Sequence, residues 1–190
     1  MKESNEYLES DEFLRKLNKR NKEAFRLLYE HFKIPVYSVV FSMIKDNERT
    51  ADILQDTFIR VIKKIYQLKD IKKLKYWIFR IAINLTLNQL NKDKKFFFAG
   101  DDIEGFTDKT AVEDFQVRGP EAFGEMRDLI LELLDRSPIK QRVVFNLKYV
   151  EGFKESEIAE IVDIPVGTVK SRLNIARTHL KAWLEKEMAE

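Results

Sequence analysis

Apolar residues recur at intervals of three and four along most of the chain, and the breaks between these runs divide it into short helices. Residues 22–33 carry Phe25, Leu28 and Phe32 on one stripe; Pro35 is expected to interrupt before a second apolar stretch, VYSVVFSMI, and Asp46-Asn47 marks a turn. Residues 50–66 place Leu54, Phe58, Val61 and Ile65 inward and Asp52, Gln55, Asp56, Ile59 and Lys63 outward, with Thr50 as the expected N-cap. In residues 72–91 the core stripe is Leu74, Ile78, Ile81 and Leu85, while Arg80, Asn84, Asn88 and Asn91 recur on another face. A helix over 121–134 comes next. Ser137 and Pro138 then suit the cap and first residue of a helix that buries Val143 or Val144, Leu147 and Val150 and stops at Gly152.

Residues 152–184 carry the most specific pattern. Ile158, Ala159, Ile161 and Val162 fall at helical spacing, with Glu155, Glu157 and Glu160 on the other side. Asp163-Ile164-Pro165 breaks the run, because proline disfavours a helical residue before it but suits the first helical position. The second helix buries Val169, Leu173, Ala176 and Leu180, and its charges are Lys170, Arg172, Arg177 and Lys181, with no carboxylate. Two short helices, a tight turn and cations saved for the second helix describe a helix-turn-helix with residues 165–181 as its recognition helix. An amphipathic pair that merely closes a core would have the same stripes. It would not explain Gly167-Thr168 and cations placed where a duplex would be met.

Scarce Gly and Pro, 6 and 4, agree with an all-α fold: two small helical domains, 1–92 and 121–190, joined by an acidic flexible linker over 93–120. The 190 residues, 44% of them hydrophobic, suffice for such cores. There is no cysteine, which excludes a disulfide scaffold and a cysteine-based metal site. No apolar signal core opens the chain and no run approaches the roughly 18 apolar residues of a membrane span, so a soluble cytoplasmic protein without direct membrane insertion is expected.

The net charge of +2 conceals a partition. Residues 69–95 hold eight Lys or Arg against two Asp, a net of +6, and residues 96–136 hold eleven carboxylates against four cations, a net of −7. A basic segment followed by an acidic one suits two polyanion-binding surfaces separated by a stretch that avoids or imitates nucleic acid. In the basic segment Lys73, Lys75, Tyr76, Trp77, Arg80, Asn84 and Asn88 combine cations for phosphates, aromatic faces for stacking and amides for base edges. Phe79, by contrast, is assigned to the core. Phe96, Phe97 and Phe98 fit no part of this pattern and are expected to dock on protein.

With these residues in view, EIAEI followed by IPVGTVKSRLNIAR resembles the C-terminal DNA-binding region of bacterial sigma factors of the extracytoplasmic-function (ECF) group in the sigma-70 family. ADILQDTF and KLKYWIFRIAINL resemble two N-terminal segments of the same family, so the likeness runs from about residue 20 to residue 184. It implies an alternative sigma subunit that binds core RNA polymerase through the clamp coiled coil of the largest subunit and the flap, reads −35 and −10 promoter elements and promotes strand opening. Asp52, Gln55, Asp56 and Ile59 would be the polymerase contacts. Lys73, Lys75, Tyr76, Trp77, Arg80, Asn84 and Asn88 would meet the −10 element as duplex and single strand, with Asn84 beside an unstacked base and residues 69–75 shaping its pocket. Thr168, Lys170, Ser171, Arg172, Asn174, Ile175 and Arg177 would meet the −35 element, with Arg172 reading guanine and Lys170 and Arg177 holding phosphates. The family often has Thr where Tyr76 stands, a departure that bears on the −10 sequence read, and Ser or Thr where Lys154 stands, which weakens a helix cap by roughly 1 kcal/mol. An anti-sigma factor is the implied regulator.

No catalytic residue, metal site or cofactor is expected. His31 and His179 are far apart, and no nucleophile motif or glycine-rich phosphate loop accompanies them. The competing reading is a one-component helix-turn-helix regulator that acts without replacing the sigma subunit, but it leaves ADILQDTF and the basic aromatic helix without a task.

Overall fold

Local capping signals start and stop the helices of residues 7–92 and 134–187, the residues that the computed structural model describes; they build two compact units. In the first, α1 (Asp11–Asn18) begins where the Ser10 hydroxyl accepts from the Phe13 N–H at 3.1 Å, and α2 (Lys22–Ile44) where the Asn21 side chain accepts from the Ala24 N–H at 2.9 Å. Lys45 ends α2 in the left-handed region, φ 55°, its N–H bonded to the Phe41 carbonyl at 2.9 Å. Pro35 does not interrupt this helix, contrary to the sequence expectation. Its missing N–H costs one ladder bond, but Leu28, Phe32, Val36, Val39, Val40 and Met43 form one buried stripe across it, each adding about 1.5–3 kcal/mol.

The next helix, α3 (Asn47–Lys64), is capped by Asp46, whose carboxylate accepts from the Arg49 N–H at 3.0 Å. Thr50 is therefore not the cap. It sits one turn inside, fully buried, and donates its hydroxyl to the Asp46 carbonyl at 2.6 Å. Two short 3₁₀ turns, Ile65–Gln67 and Ile71–Lys73, lead into α4 (Leu74–Lys92). The helices α2, α3 and α4 pack pairwise around Val61, Ile78, Phe79 and Ile83, while α1 lies on α2 and the Ile65–Gln67 turn.

In the second unit α5 (Ile139–Phe145) starts one residue later than expected, with Pro138 in the N-cap position and no side-chain cap, and Ser137 is buried just before it. A π-helical turn over Asn146–Val150 follows. With more residues per turn each residue rotates through a smaller angle and falls behind the α-helical phase, so Leu147 is buried as expected but Val150 emerges, 40% exposed. Gly152 stops the segment at φ 76°, a conformation that favours glycine. Then come α6 (Glu155–Val162) and α7 (Val166–Glu187), with α7 packed along α5. The buried Arg142 on α5 donates from Nη1 to the Asp135 carbonyl at 2.9 Å and lies 3.6 Å from its carboxylate; burial pulls its pKa below the usual value despite that company.

The expected linker, Phe96–Phe98 and nearly all of the expected helix 121–134 lie outside the described residues. Among the described residues no helix is long and apolar enough to cross a membrane. If Asp46 rather than Thr50 starts α3, Asp46→Ala should lower the unfolding free energy by about 1 kcal/mol. Thr50→Val, which keeps the buried volume, should cost less in the same urea titration followed by circular dichroism.

Candidate functional site

Rotation of α3 is set by its buried side, Ile53, Thr57, Phe58 and Val61, and Thr57 satisfies its hydroxyl on the Ile53 carbonyl at 2.7 Å. The opposite side is a ridge of Asp52, Gln55, Asp56 and Ile59, all exposed, with Ile59 at 40%. None of the three polar side chains has a hydrogen bond or ion pair to another described residue. The ridge also runs further than the sequence reading took it: Ile62 and Tyr66, 38% and 67% exposed, continue it at three- and four-residue spacing. That spacing was visible in the sequence, but Ile62 and Tyr66 read there as ordinary members of an apolar run. The result is a strip with hydrogen-bonding acids and an amide at one end and apolar groups at the other, suited to a protein partner.

The approach to α4 is held by Leu68 and Ile71, both buried, and by Asp70, whose carboxylate accepts from the Lys72 N–H at 3.0 Å. This fixes the backbone beside the exposed Lys69 and Lys73. On α4, Phe79 is fully buried and Lys75 places its ammonium 5.8 Å from that ring's centroid. Tyr76 and Trp77 are half-buried, and Arg80 donates to the Tyr76 hydroxyl at 3.2 Å. Arg80, Asn84, Asn88 and Asn91 are all exposed at helical spacing, and the half-buried Tyr76 falls in line one turn before Arg80, whereas Lys73 stands in the preceding 3₁₀ turn and Lys75 on another side of α4. His31 on α2, which had no assigned role, lies in the field of Lys75; burial first and that ammonium second hold its pKa below the ordinary imidazole value.

The turn of the helix-turn-helix is built on the Ala159 carbonyl, which accepts from the N–H of Asp163 and, at 3.0 Å, from that of Ile164. Asp163 adopts φ 56° to allow this. At the start of α6 no side chain of Lys154 caps the helix, but the Glu157 carboxylate accepts from the Lys154 N–H at 2.8 Å and supplies half of a capping box. The α7 stripe Val169, Leu173, Ala176 and Leu180 is buried throughout. Lys170 and Ser171 are exposed, Thr168, Asn174, Ile175 and Arg177 are half-buried, and Lys170 stands 4.0 Å from Glu155.

Arg172 departs from its expected place. It is 1% exposed, so its guanidinium does not share the surface of Lys170 and Ser171, and guanine reading by this side chain is withdrawn. At 100° per residue, position 172 lies about 60° from Val169, within the inward arc, whereas Lys170, Ser171 and Asn174 point away from it. Charge alone had put it outside.

A polar ridge and a basic aromatic surface on one helical unit, with a helix-turn-helix on another, define a DNA-binding protein equipped to hold a protein partner as well. Sequence comparison agrees: Sigma-70 region 2 matches residues 28–96 and Sigma-70, region 4 matches residues 127–180. The ECF RNA polymerase sigma factor SigW of Bacillus subtilis (strain 168) is 30% identical over 176 residues, covering 90% of this chain and 94% of SigW. The ECF RNA polymerase sigma-E factor of Haemophilus influenzae is 26% identical over 192 residues, covering 96% and 99%. The structure of CnrH in complex with the cytosolic domain of CnrY matches with a TM-score of 0.60 at 19% identity over 92% of this chain and 96% of that one, a likeness of fold. The chain belongs to the ECF sigma factors of the sigma-70 family.

Burial makes opposite predictions for two neighbours on α7. Arg172→Ala should lower the unfolding free energy by about 2–3 kcal/mol, whereas Lys170→Ala should change it by less than about 0.5 kcal/mol, both read by urea unfolding of the full chain.

Proposed function

We propose that this chain is an alternative sigma subunit that binds core RNA polymerase, directs it to −35 and −10 promoter elements and aids strand opening. One observation carries the reading: region 2 and region 4 occur in order in a single chain whose relatives, matched over nearly their whole length, are ECF sigma factors. The division of labour follows the two units, region 2 on residues 1–92 and region 4 on residues 121–190, with 93–120 between them.

Asp52, Gln55, Asp56 and Ile59 hold the polymerase: the carboxylates pair with cations on the clamp coiled coil, Gln55 both donates and accepts, and Ile59 adds apolar contact. Their lack of partners within the described residues supports this, because no internal bond has to be broken first. Lys73, Lys75, Tyr76, Trp77, Arg80, Asn84 and Asn88 receive the −10 strand. No nucleotide hydrolysis is invoked. Stacking on aromatic faces, about 1–3 kcal/mol per base, together with phosphate contacts offsets the few kcal/mol of unstacking. Thr168, Lys170, Ser171, Asn174, Ile175 and Arg177 meet the −35 duplex, with Lys170 and Arg177 on phosphates. An anti-sigma factor that covers these surfaces would silence the chain, and the protein works in the cytoplasm with the polymerase.

Run-off transcription with core polymerase on pooled promoter fragments tests this reading. Wild type should initiate at a discrete promoter class, and Gln55→Ala with Asp56→Ala should lose that initiation while retaining helical content. Initiation by that variant at the wild-type level, or duplex binding by the wild type without any core-dependent transcript, would sink the reading. Lys170→Ala with Arg177→Ala should reduce the log–log salt slope of duplex binding by about 1.8.

A further inference from the structure

Between α3 and α4 lies a cleft of about 530 Å³, lined by Ile53, Asp56, Arg60, Leu85, Asn88, Gln89, Asn91 and Lys92. Its apolar members, Ile53 and Leu85, are buried, and the other six bring two cations, one carboxylate and three amides. None of these six side chains has a hydrogen bond or ion pair with any described residue. Even Asp56 and Arg60, one turn apart on α3 at a spacing that favours an ion pair, do not form one. These polar groups face solvent, so they can meet an outside ligand without breaking an internal bond, and three features say which kind fits.

Arg60 and Lys92 outnumber Asp56, so the net charge favours an anion. The amides can each donate a hydrogen bond to an anionic oxygen. Asn88 and Asn91 also belong to the exposed row that begins at Arg80 and Asn84, so the cleft continues the surface assigned to the −10 strand. The C-terminal end of α4 disfavours an anion weakly, and two adjacent cations outweigh it.

We propose that this cleft binds a backbone phosphate of the promoter strand through Arg60 and Lys92, and that Asp56 weakens the site until the polymerase engages it. Asp56 is the one side chain shared between the cleft and the polymerase-facing ridge. While it is unpaired, its carboxylate opposes a phosphate in the same cleft. Once a polymerase cation pairs with it, the two remaining charges act on the phosphate with less opposition. Polymerase binding and strand binding are then coupled by local electrostatics, with no change of fold required. The proposal rests on the sigma-subunit reading for the identity of the partner but not for the phosphate site itself.

The test uses the full chain, free and bound to core polymerase, with a fluorescent single-stranded oligonucleotide carrying the promoter's −10 strand, titrated at several salt concentrations. Arg60→Gln with Lys92→Gln should weaken binding about tenfold at low salt and reduce the log–log salt slope by about 0.7, the share of one phosphate on a single strand. Asp56→Asn should strengthen binding by the free chain roughly two- to fivefold and should gain less when core polymerase is present. Circular dichroism verifies that each variant is folded, as expected for exposed positions. An unchanged slope in the double glutamine variant overturns the phosphate site, and so does the absence of strand binding by the wild type in both forms. Loss of polymerase affinity with the DNA slope intact assigns the cleft to an acidic group of the partner and overturns it too. A reduced slope in a chain that fails to direct core-dependent initiation leaves the phosphate site standing while the sigma reading falls.

Discussion

Burial of one stripe per helix is the constraint on which every functional surface of this protein depends. A helix that must bury a side every three to four residues has its rotation fixed, and whatever stands opposite is delivered to solvent. On α3 the inward set Ile53, Thr57, Phe58 and Val61 turns Asp52, Gln55, Asp56 and Ile59 outward. On α4 the burial of Leu74, Ile78, Phe79 and Leu85 presents Arg80, Asn84 and Asn88. The ridge of Asp52, Gln55, Asp56 and Ile59 and the row of Arg80, Asn84 and Asn88 are thus exposed sides of two helices packed on each other. Their spacing is set by the core, and a ligand on one is held rigidly relative to a ligand on the other.

The same logic explains what the sequence made legible. Phe58, Val61 and Ile65, then Leu74, Ile78 and Leu85, and the run Val169, Leu173, Ala176 and Leu180 were readable because apolar residues at helical spacing leave few alternatives, and Phe79 because a helical aromatic is more often core than exposed; Leu54 and Ile81, expected in the stripes, are only half-buried, and Ile53 and Thr57 take the inward places on α3. The failures came where a local rule met a stronger one. Pro35 breaks helices in isolation, but the buried stripe on both sides carries α2 through it. Thr50 is a good cap by type, yet Asp46 precedes it in the position that reaches a free N–H. Val150 was phased as though the α-helix continued, and a π-turn, which leaves no simple mark in composition, shifted the register.

Arg172 is the most instructive failure because charge and phase gave opposite answers. A long cation on a carboxylate-free helix reads as a phosphate or base contact, but at its angle the side chain enters the interior. Burying a guanidinium demands satisfaction of its charge, and removing such a group costs more than removing one from the surface. The same unit buries a second one, Arg142, against Asp135. The second unit therefore uses Arg142 and Arg172 for internal order and leaves Lys170, with its single compact charge, on the outer face. A lysine there suits phosphate attraction better than the forked recognition of a base. Under the proposed −35 role, sequence specificity on this face would fall more to Ser171, Asn174 and neighbouring backbone than to a guanidinium.

Asp56 shows how two of these constraints can be combined in one residue. As a member of the ridge it offers an unpaired carboxylate to a partner's cation, and as part of the cleft wall it stands among Arg60, Lys92 and the amides of α4. A position that served only the polymerase would be better placed away from the cations that reduce its attraction for a partner. A position that served only DNA would not be acidic. Its placement is coherent when both ligands bind in sequence, because each removes the charge that opposes the other. On the proposed coupling, the free chain avoids strong, sequence-blind attachment to nucleic acid, and the opposition is relieved where the polymerase is present to use the strand.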